Sequence, residues 1–208
     1  MKKIIILITL LLAAVITNAQ KIDKIIIKDV YTAYFNYTLK DPVYVTYKIY
    51  KAGGECSREK YYFKNDMNIT TATKQDYAGS GYDIGHMADA ADFSGNCEQE
   101  ESTFRFYNAL PQTPNLNRGI WKHYETIIRR QSQKDSILIV CGGTFTDNKT
   151  IGNGVAVPTH CWKVTQSLST KKIGFILYFT NIDDDNKVEV MTLEQLEKIL
   201  GYKIPIKR

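Results

Sequence analysis

At 208 residues, 44% of them hydrophobic, the chain has material for one sizeable core, and no internal repeat or low-complexity linker divides it. Its formal charge of +5 is only mildly basic, so charge permits an acidic ligand such as a phosphate backbone without demanding one. A disordered or repeat architecture is excluded, while a catalytic or a binding function stays open.

The N-terminus carries an export pattern. Lys2 and Lys3 precede an apolar run from Ile4 to Ile16 broken only by Thr9, and Thr17-Asn18-Ala19 offers small residues before Gln20. This order is that of a secretory signal. A membrane-spanning helix wants about 20 apolar residues, more than this run supplies. The expectation is a signal peptide over residues 1–19, a single domain over 20–208, and a secreted or periplasmic product with no membrane attachment after cleavage. Removing Lys2 and Lys3 lowers the formal charge to +3.

Val43 to Tyr50 is rich in β-branched and aromatic residues and predicts a strand, and Tyr61-Tyr62-Phe63 a second, short one. Asp76 to Asp83, with Gly79 and Gly81, reads as a loop. Phe104 to Leu110 predicts a strand ending at Pro111. From Leu116 to about Arg130 the period changes: Leu116, Ile120, Trp121, Tyr124, Ile127 and Ile128 form one apolar helical face. Ser136 to Cys141 predicts a buried strand closed by Gly142-Gly143, followed by strands over Val155 to Val164 and Ile173 to Thr180 and a polar turn over Asp183 to Asn186. Thr192-x-x-Gln195 is a capping box for a short helix stopped by Gly201. Strands and helices mix without βαβ alternation, which makes the fold class α+β.

Four cysteines in an exported chain suggest disulfides, with three possible pairings. The preferred set is Cys56–Cys97 and Cys141–Cys161, the second joining neighbouring strands. No C-x-x-C spacing appears, which speaks against structural zinc.

The reactive residues concentrate between Tyr82 and Glu125. Asp83-Ile84-Gly85-His86 is followed by Asn108-Ala109-Leu110-Pro111-Gln112, then by Leu116-Asn117-Arg118-Gly119-Ile120-Trp121, with Glu125 and Arg129 beyond. A neutral imidazole can take a proton from water near neutral pH, and carboxamide oxygens with retained waters suit a hard divalent cation. On a regular helix Asn117 and Glu125 lie about 80° apart, so one broad face can carry both.

This two-part pattern resembles the DNA/RNA non-specific endonuclease family, whose signature runs D-R-G-H, N-x-x-P-Q and L-N-x-G-x-W-x-x-x-E. Val157-Pro158 with Trp162-Lys163 resembles, more weakly, a later P-x-x-x-W-K strand. The resemblance implies a central antiparallel sheet with flanking helices and a ββα-metal site. It implies cleavage of DNA and RNA without sequence preference and a single hydrated Mg2+, or Mn2+, held directly by Asn117. His86 takes the role of general base, Glu125 holds the metal's water shell, and Asn108 orients His86 or its loop. Arg58, in a stretch from Ser57 to Asp66 resembling the family's arginine-bearing strand, is a phosphate clamp, with Arg129 a second candidate. One departure stands out: the motif arginine is Ile84 here, and Arg118, Arg58 and Arg129 are the candidates to stand in for it. A catalytically silent nucleic-acid-binding module of the same fold is the alternative reading. Asp83 reads as a brace for the His86 loop, Asp89 and Asp92 as structural, Trp121 as core, His123 as solvated and His160 as a strand residue.

Overall fold

Alternating burial along β-branched and aromatic runs builds most of the molecule. A computed structural model describes residues 20–183 and 187–207; the expected signal peptide and residues 184–186 of the expected polar turn lie outside these. In chain order the elements are β1 (Lys24–Ile27), β2 (Tyr31–Asn36), β3 (Asp41–Ile49), α1 (Lys74–Tyr77), β4 (Asp83–His86), α2 (Cys97–Ser102), β5 (Ala109–Gln112) and α3 (Lys122–Gln131). The second half adds β6 (Ile137–Thr144), β7 (Thr150–Ile151), β8 (Val155–Ala156), β9 (His160–Ser167), β10 (Ile173–Thr180), β11 (Val188–Val190) and α4 (Leu193–Leu200). Seven strands form one sheet in the order β1-β2-β3-β6-β9-β10-β11, with every neighbour antiparallel. β4 with β5 and β7 with β8 make two separate ribbons. The class is α+β.

Period two assigns the sheet's faces. Ile137, Ile139 and Cys141 of β6 and Cys161 of β9 join a core that also holds Leu116, Trp121 and Ile128 from the helical segment. The intervening Val140, Trp162 and Val164 face a second core with Leu196 and Leu200 of α4 and Ile204 beyond it. The sheet is therefore sandwiched between α3 and α4. The Thr192 box caps α4 as its sequence predicts, and Gly201 ends it at φ 74°.

Several expectations change. Tyr61-Tyr62-Phe63 joins no strand: Arg58–Lys60 forms a 3-10 turn, and the nearest bridge joins Lys64 to Arg105. The stretch from Ser57 to Asp66 is thus not a strand. Phe106–Asn108 is also a 3-10 turn, and the strand lies after it with Pro111 inside. The expected loop after Asp76 starts within the short helix α1. Gly142-Gly143 does not close β6. The strand runs through both, and a Cβ on Gly142 would sit 2.2 Å from the Val43 carbonyl oxygen, so glycine lets β3 approach. Pro158 falls between β8 and β9, splitting the single strand expected there.

The disulfide expectation is half met. Cys56–Cys97 is formed, whereas Cys141 and Cys161 are free and buried. The latter do lie on neighbouring strands, but Cys141 faces Lys163 and Cys161 faces Gly143. They are diagonal neighbours, about 7–8 Å apart and beyond the Cα reach of a disulfide. Cys141 instead donates to the Met87 carbonyl at 3.2 Å. The Cys56–Cys97 bond closes a separation of 41 residues, which by loop entropy stabilises by about 4 kcal/mol. A Cys56→Ala/Cys97→Ala variant should therefore melt roughly 8–16 °C lower in a calorimetric scan. Alkylation of the unfolded, unreduced protein should label two thiols per chain.

Candidate active site

The ribbon of β4 and β5 presents His86 opposite Ala109. Gly85 permits this packing, because a Cβ there would lie 2.1 Å from the Gln112 Oε1. Behind the ribbon, Asn108 is fully buried. Its Oδ1 accepts from the Ala88 N–H at 2.9 Å, and its Nδ2 donates to the Ala88 and Thr103 carbonyls at 3.0 and 2.9 Å. Its own carbonyl takes the Met87 N–H at 2.9 Å. Asn108 thus pins the backbone that leaves His86.

The imidazole is 8% exposed and packs between the rings of Phe63 and Phe104, with centroids at 4.5 and 4.7 Å. Its Nε2 is buried without a hydrogen-bond partner among the described residues. Burial, followed by the positive charge of Arg58, pushes its pKa down to about 3 against the opposing pull of Asp89. His86 is therefore neutral at physiological pH, the state in which a ring nitrogen can accept a proton.

The helical segment opens with a π turn over Leu116–Trp121, broken at Gly119 (φ −102°, ψ −109°), before α3 continues. Such irregular turns re-aim side chains. Asn117 does not cap: the Leu116 N–H is taken by Thr113 Oγ1 at 3.3 Å. Its Nδ2 donates to Asp83 Oδ2 at 3.0 Å, leaving the carboxamide oxygen as the acceptor atom. Arg118 forks onto the same carboxylate. Burial works against the Asp83 carboxylate, but the bonds from Arg118 and Asn117 prevail and hold its pKa below the ordinary value. Asp83 thus braces the helical segment.

Beyond the kink, Glu125 is buried and accepts from Lys163 Nζ at 3.3 Å. Lys163 is itself 1% exposed, and its ammonium lies 4.1 Å from the Trp121 ring centroid. Burial and then the charge of Asp89 push the Glu125 pKa up to about 8, with Lys163 pulling it back. Burial lowers the Lys163 pKa, yet Glu125 and the neighbouring acids outweigh that and keep it protonated. Arg129 does not pair with Glu125. Its Nε donates to Asp92 Oδ1 at 2.8 Å and its Nη2 to Asp89.

One cavity of about 340 Å³ gathers His86, Asn117, Glu125, Arg58 and Arg129. Of the expected site residues only Asn108 stands outside, behind the wall. Ile84, Asp89 and Arg118 also line the cavity. Asp89, read as structural, is both a turn cap and an Arg129 partner; its spacing of three from Asp92, just after His86, was the available signal. Lys163 enters the sequence reading only through the weaker Trp162-Lys163 resemblance, and nothing local in the chain marks it as buried. His123 is exposed, and His160 stacks on Tyr178 within β9 and β10. Asn117 and Glu125 supply oxygen donors suited to a hard cation. Among the described residues no group of three or more His, Cys, Asp or Glu side chains is arranged to hold a metal.

A model of the DNA/RNA non-specific endonuclease family matches residues 11–205. A nuclease of Nostoc sp. is 31% identical over 140 residues, covering 61% of this chain and 51% of that protein. Mitochondrial endonuclease G of Homo sapiens is 35% identical over 127 residues, covering 53% and 43%. The chain spans about half the length of the curated relatives it matches. A solved EndoG/EndoGI complex superposes with a TM-score of 0.76 at 25% identity, covering 88% of this chain and 85% of that one.

The buried imidazole gives a pH signature. Its folded pKa of about 3 lies below the ordinary 6.5, so the unfolded chain binds the proton first as pH falls. The His86 contribution is present in full above pH 6.5 and is lost between there and pH 3, at about 1.4 kcal/mol per unit. In urea melts from pH 7 to 4, a His86→Gln variant should lose less stability than the wild type. Parallel losses in the two proteins would contradict the buried neutral histidine.

Proposed function

This chain belongs to the DNA/RNA non-specific endonuclease family, and from that premise we propose that it hydrolyses phosphodiester bonds in DNA and RNA with His86 as general base. The observation that carries this reading is a neutral, desolvated imidazole sharing one cavity with Asn117, Glu125 and the guanidinium groups of Arg58 and Arg129.

The donor set fits a hydrated Mg2+, or Mn2+, ion. Asp83 occupies the amide nitrogen of Asn117, so its oxygen is left for a hard cation, and Glu125 is placed to hold that ion's waters. When bound, such an ion supplies positive charge opposite the developing phosphorane and an acid for the leaving oxygen. His86 takes the proton of the attacking water as the water oxygen bonds to phosphorus and the bond to the 3′ oxygen breaks. Arg58 lies 5.8 Å over the Phe104 ring beside His86 and binds the phosphate from that side. Arg129 faces the cavity with its position fixed by Asp89 and Asp92. Lys163 holds Glu125 in place. Contacts of this kind read phosphate rather than bases, hence the lack of sequence preference. The Cys56–Cys97 bond supports a secreted or periplasmic location, where disulfides persist.

The test incubates the protein with supercoiled plasmid and with RNA, in magnesium and in chelator. Wild type should cut both substrates only with the metal. His86→Ala should lower the rate at least about a hundredfold at unchanged nucleic-acid affinity. Salt-sensitive binding without cleavage in magnesium or manganese would instead establish the silent binding module that Ile84 suggests.

A further inference from the structure

The cavity holds a guanidinium to which the mechanism above gives no task. The Arg118 side chain is 71% exposed, against 22% for Arg129, and lines the same cavity as His86 and Asn117. Its Nε and Nη2 reach back to Asp83 Oδ2 and Oδ1 at 2.7 and 2.6 Å. A guanidinium carries five N–H donors, so this fork leaves three for a ligand. Asp83 Oδ2 also receives Asn117 Nδ2 at 3.0 Å. One carboxylate therefore fixes the orientation of both the expected cation-holding residue and the guanidinium next to it.

The neighbouring residue on β4 sharpens the point. Ile84 lines the cavity directly after Asp83 in the chain and offers it no donor. Arg129 has two carboxylates to satisfy, and Arg58 sits over Phe104. Resting on the nuclease reading, we propose that Arg118 is a phosphate-binding residue of this cavity, supplying from the helical segment the donors that Ile84 does not supply from the strand. Asp83 neutralises the pair overall, so what it offers a phosphodiester backbone is a planar, pre-oriented fork rather than a loose charge.

The experiment compares wild type, Arg118→Ala and Arg118→Ala/Ile84→Arg. Binding of a fluorescein-labelled DNA duplex is followed by anisotropy in chelator across a salt series, and single-turnover cleavage is followed in magnesium. Arg118→Ala should reduce the slope of log affinity against log salt by about 1. It should also slow cleavage roughly tenfold or more, while the melting temperature falls by no more than the roughly 4 °C that losing one exposed ion pair accounts for. Placing the guanidinium at position 84 should recover much of both losses. An Arg118→Ala protein with wild-type slope and a rate within twofold overturns the proposal. So does a loss that Ile84→Arg leaves unrepaired, which would make Arg118 only a brace for Asp83. A wild type that neither binds nor cuts nucleic acid overturns the nuclease reading and this proposal together, whereas an active wild type indifferent to Arg118 overturns this proposal alone.

Discussion

Three carboxylates and two cations share one water-poor region beneath the cavity, and the seating of α3 against the sheet and against the turn after His86 depends on their pairing. Asp89 and Asp92 come from the turn after β4, Glu125 and Arg129 from α3, and Lys163 from β9. A buried ion costs several kcal/mol unless a partner compensates, and removing one partner typically costs about 3–5 kcal/mol. Each pair therefore acts as a register mark: Lys163 fixes α3 against the sheet, and Arg129 fixes it against the turn that follows His86. The count leaves one carboxylate in excess. Burial and Asp89 push Asp92 and Glu125 up to about 7 and about 8, a strain that added positive charge relieves. In the proposed mechanism the hydrated cation at Asn117 supplies that charge.

The same burial has the opposite effect on the imidazole across the cavity. Desolvation disfavours whichever form is charged, so it raises Glu125 and lowers His86. A neutral base thus faces a carboxylate held by Lys163 across one space, without any special chemistry in either side chain. Phe63 and Phe104 supply the apolar walls, and Asn108 supplies the rigid backbone behind them. A base packed between two rings, on backbone that the three Asn108 side-chain hydrogen bonds pin just beyond it, needs little reorganisation to meet a substrate.

Features governed by local chemistry were legible in the sequence. The capping box at Thr192, the apolar face from Leu116 onward, and the β-branched runs of β3 and β10 all appear near their predicted places. Five cavity residues carry site roles in the sequence reading, three of them within the family motif itself: His86, Asn117 and Glu125. What stayed hidden depends on distant partners. β1 and β2 carry no run that predicts a strand, and the pairing of β1 with β2 and of β2 with β3 is what defines them. The glycines of β6 read as an ending because nothing nearby reveals how closely β3 approaches. The second disulfide failed on a two-residue offset in register that sequence does not show. Lys163 lies 38 residues beyond Glu125, and its burial follows from sheet order alone.

The account turns on His86 being uncharged in the folded protein, and nitrogen-detected NMR of the imidazole measures that directly. With ring-labelled histidine and assignment by a His86→Gln variant, the His86 signals should stay those of a neutral ring from pH 8 down to at least pH 5. An imidazolium at pH 6 would contradict the account, because burial would then not have prepared a base.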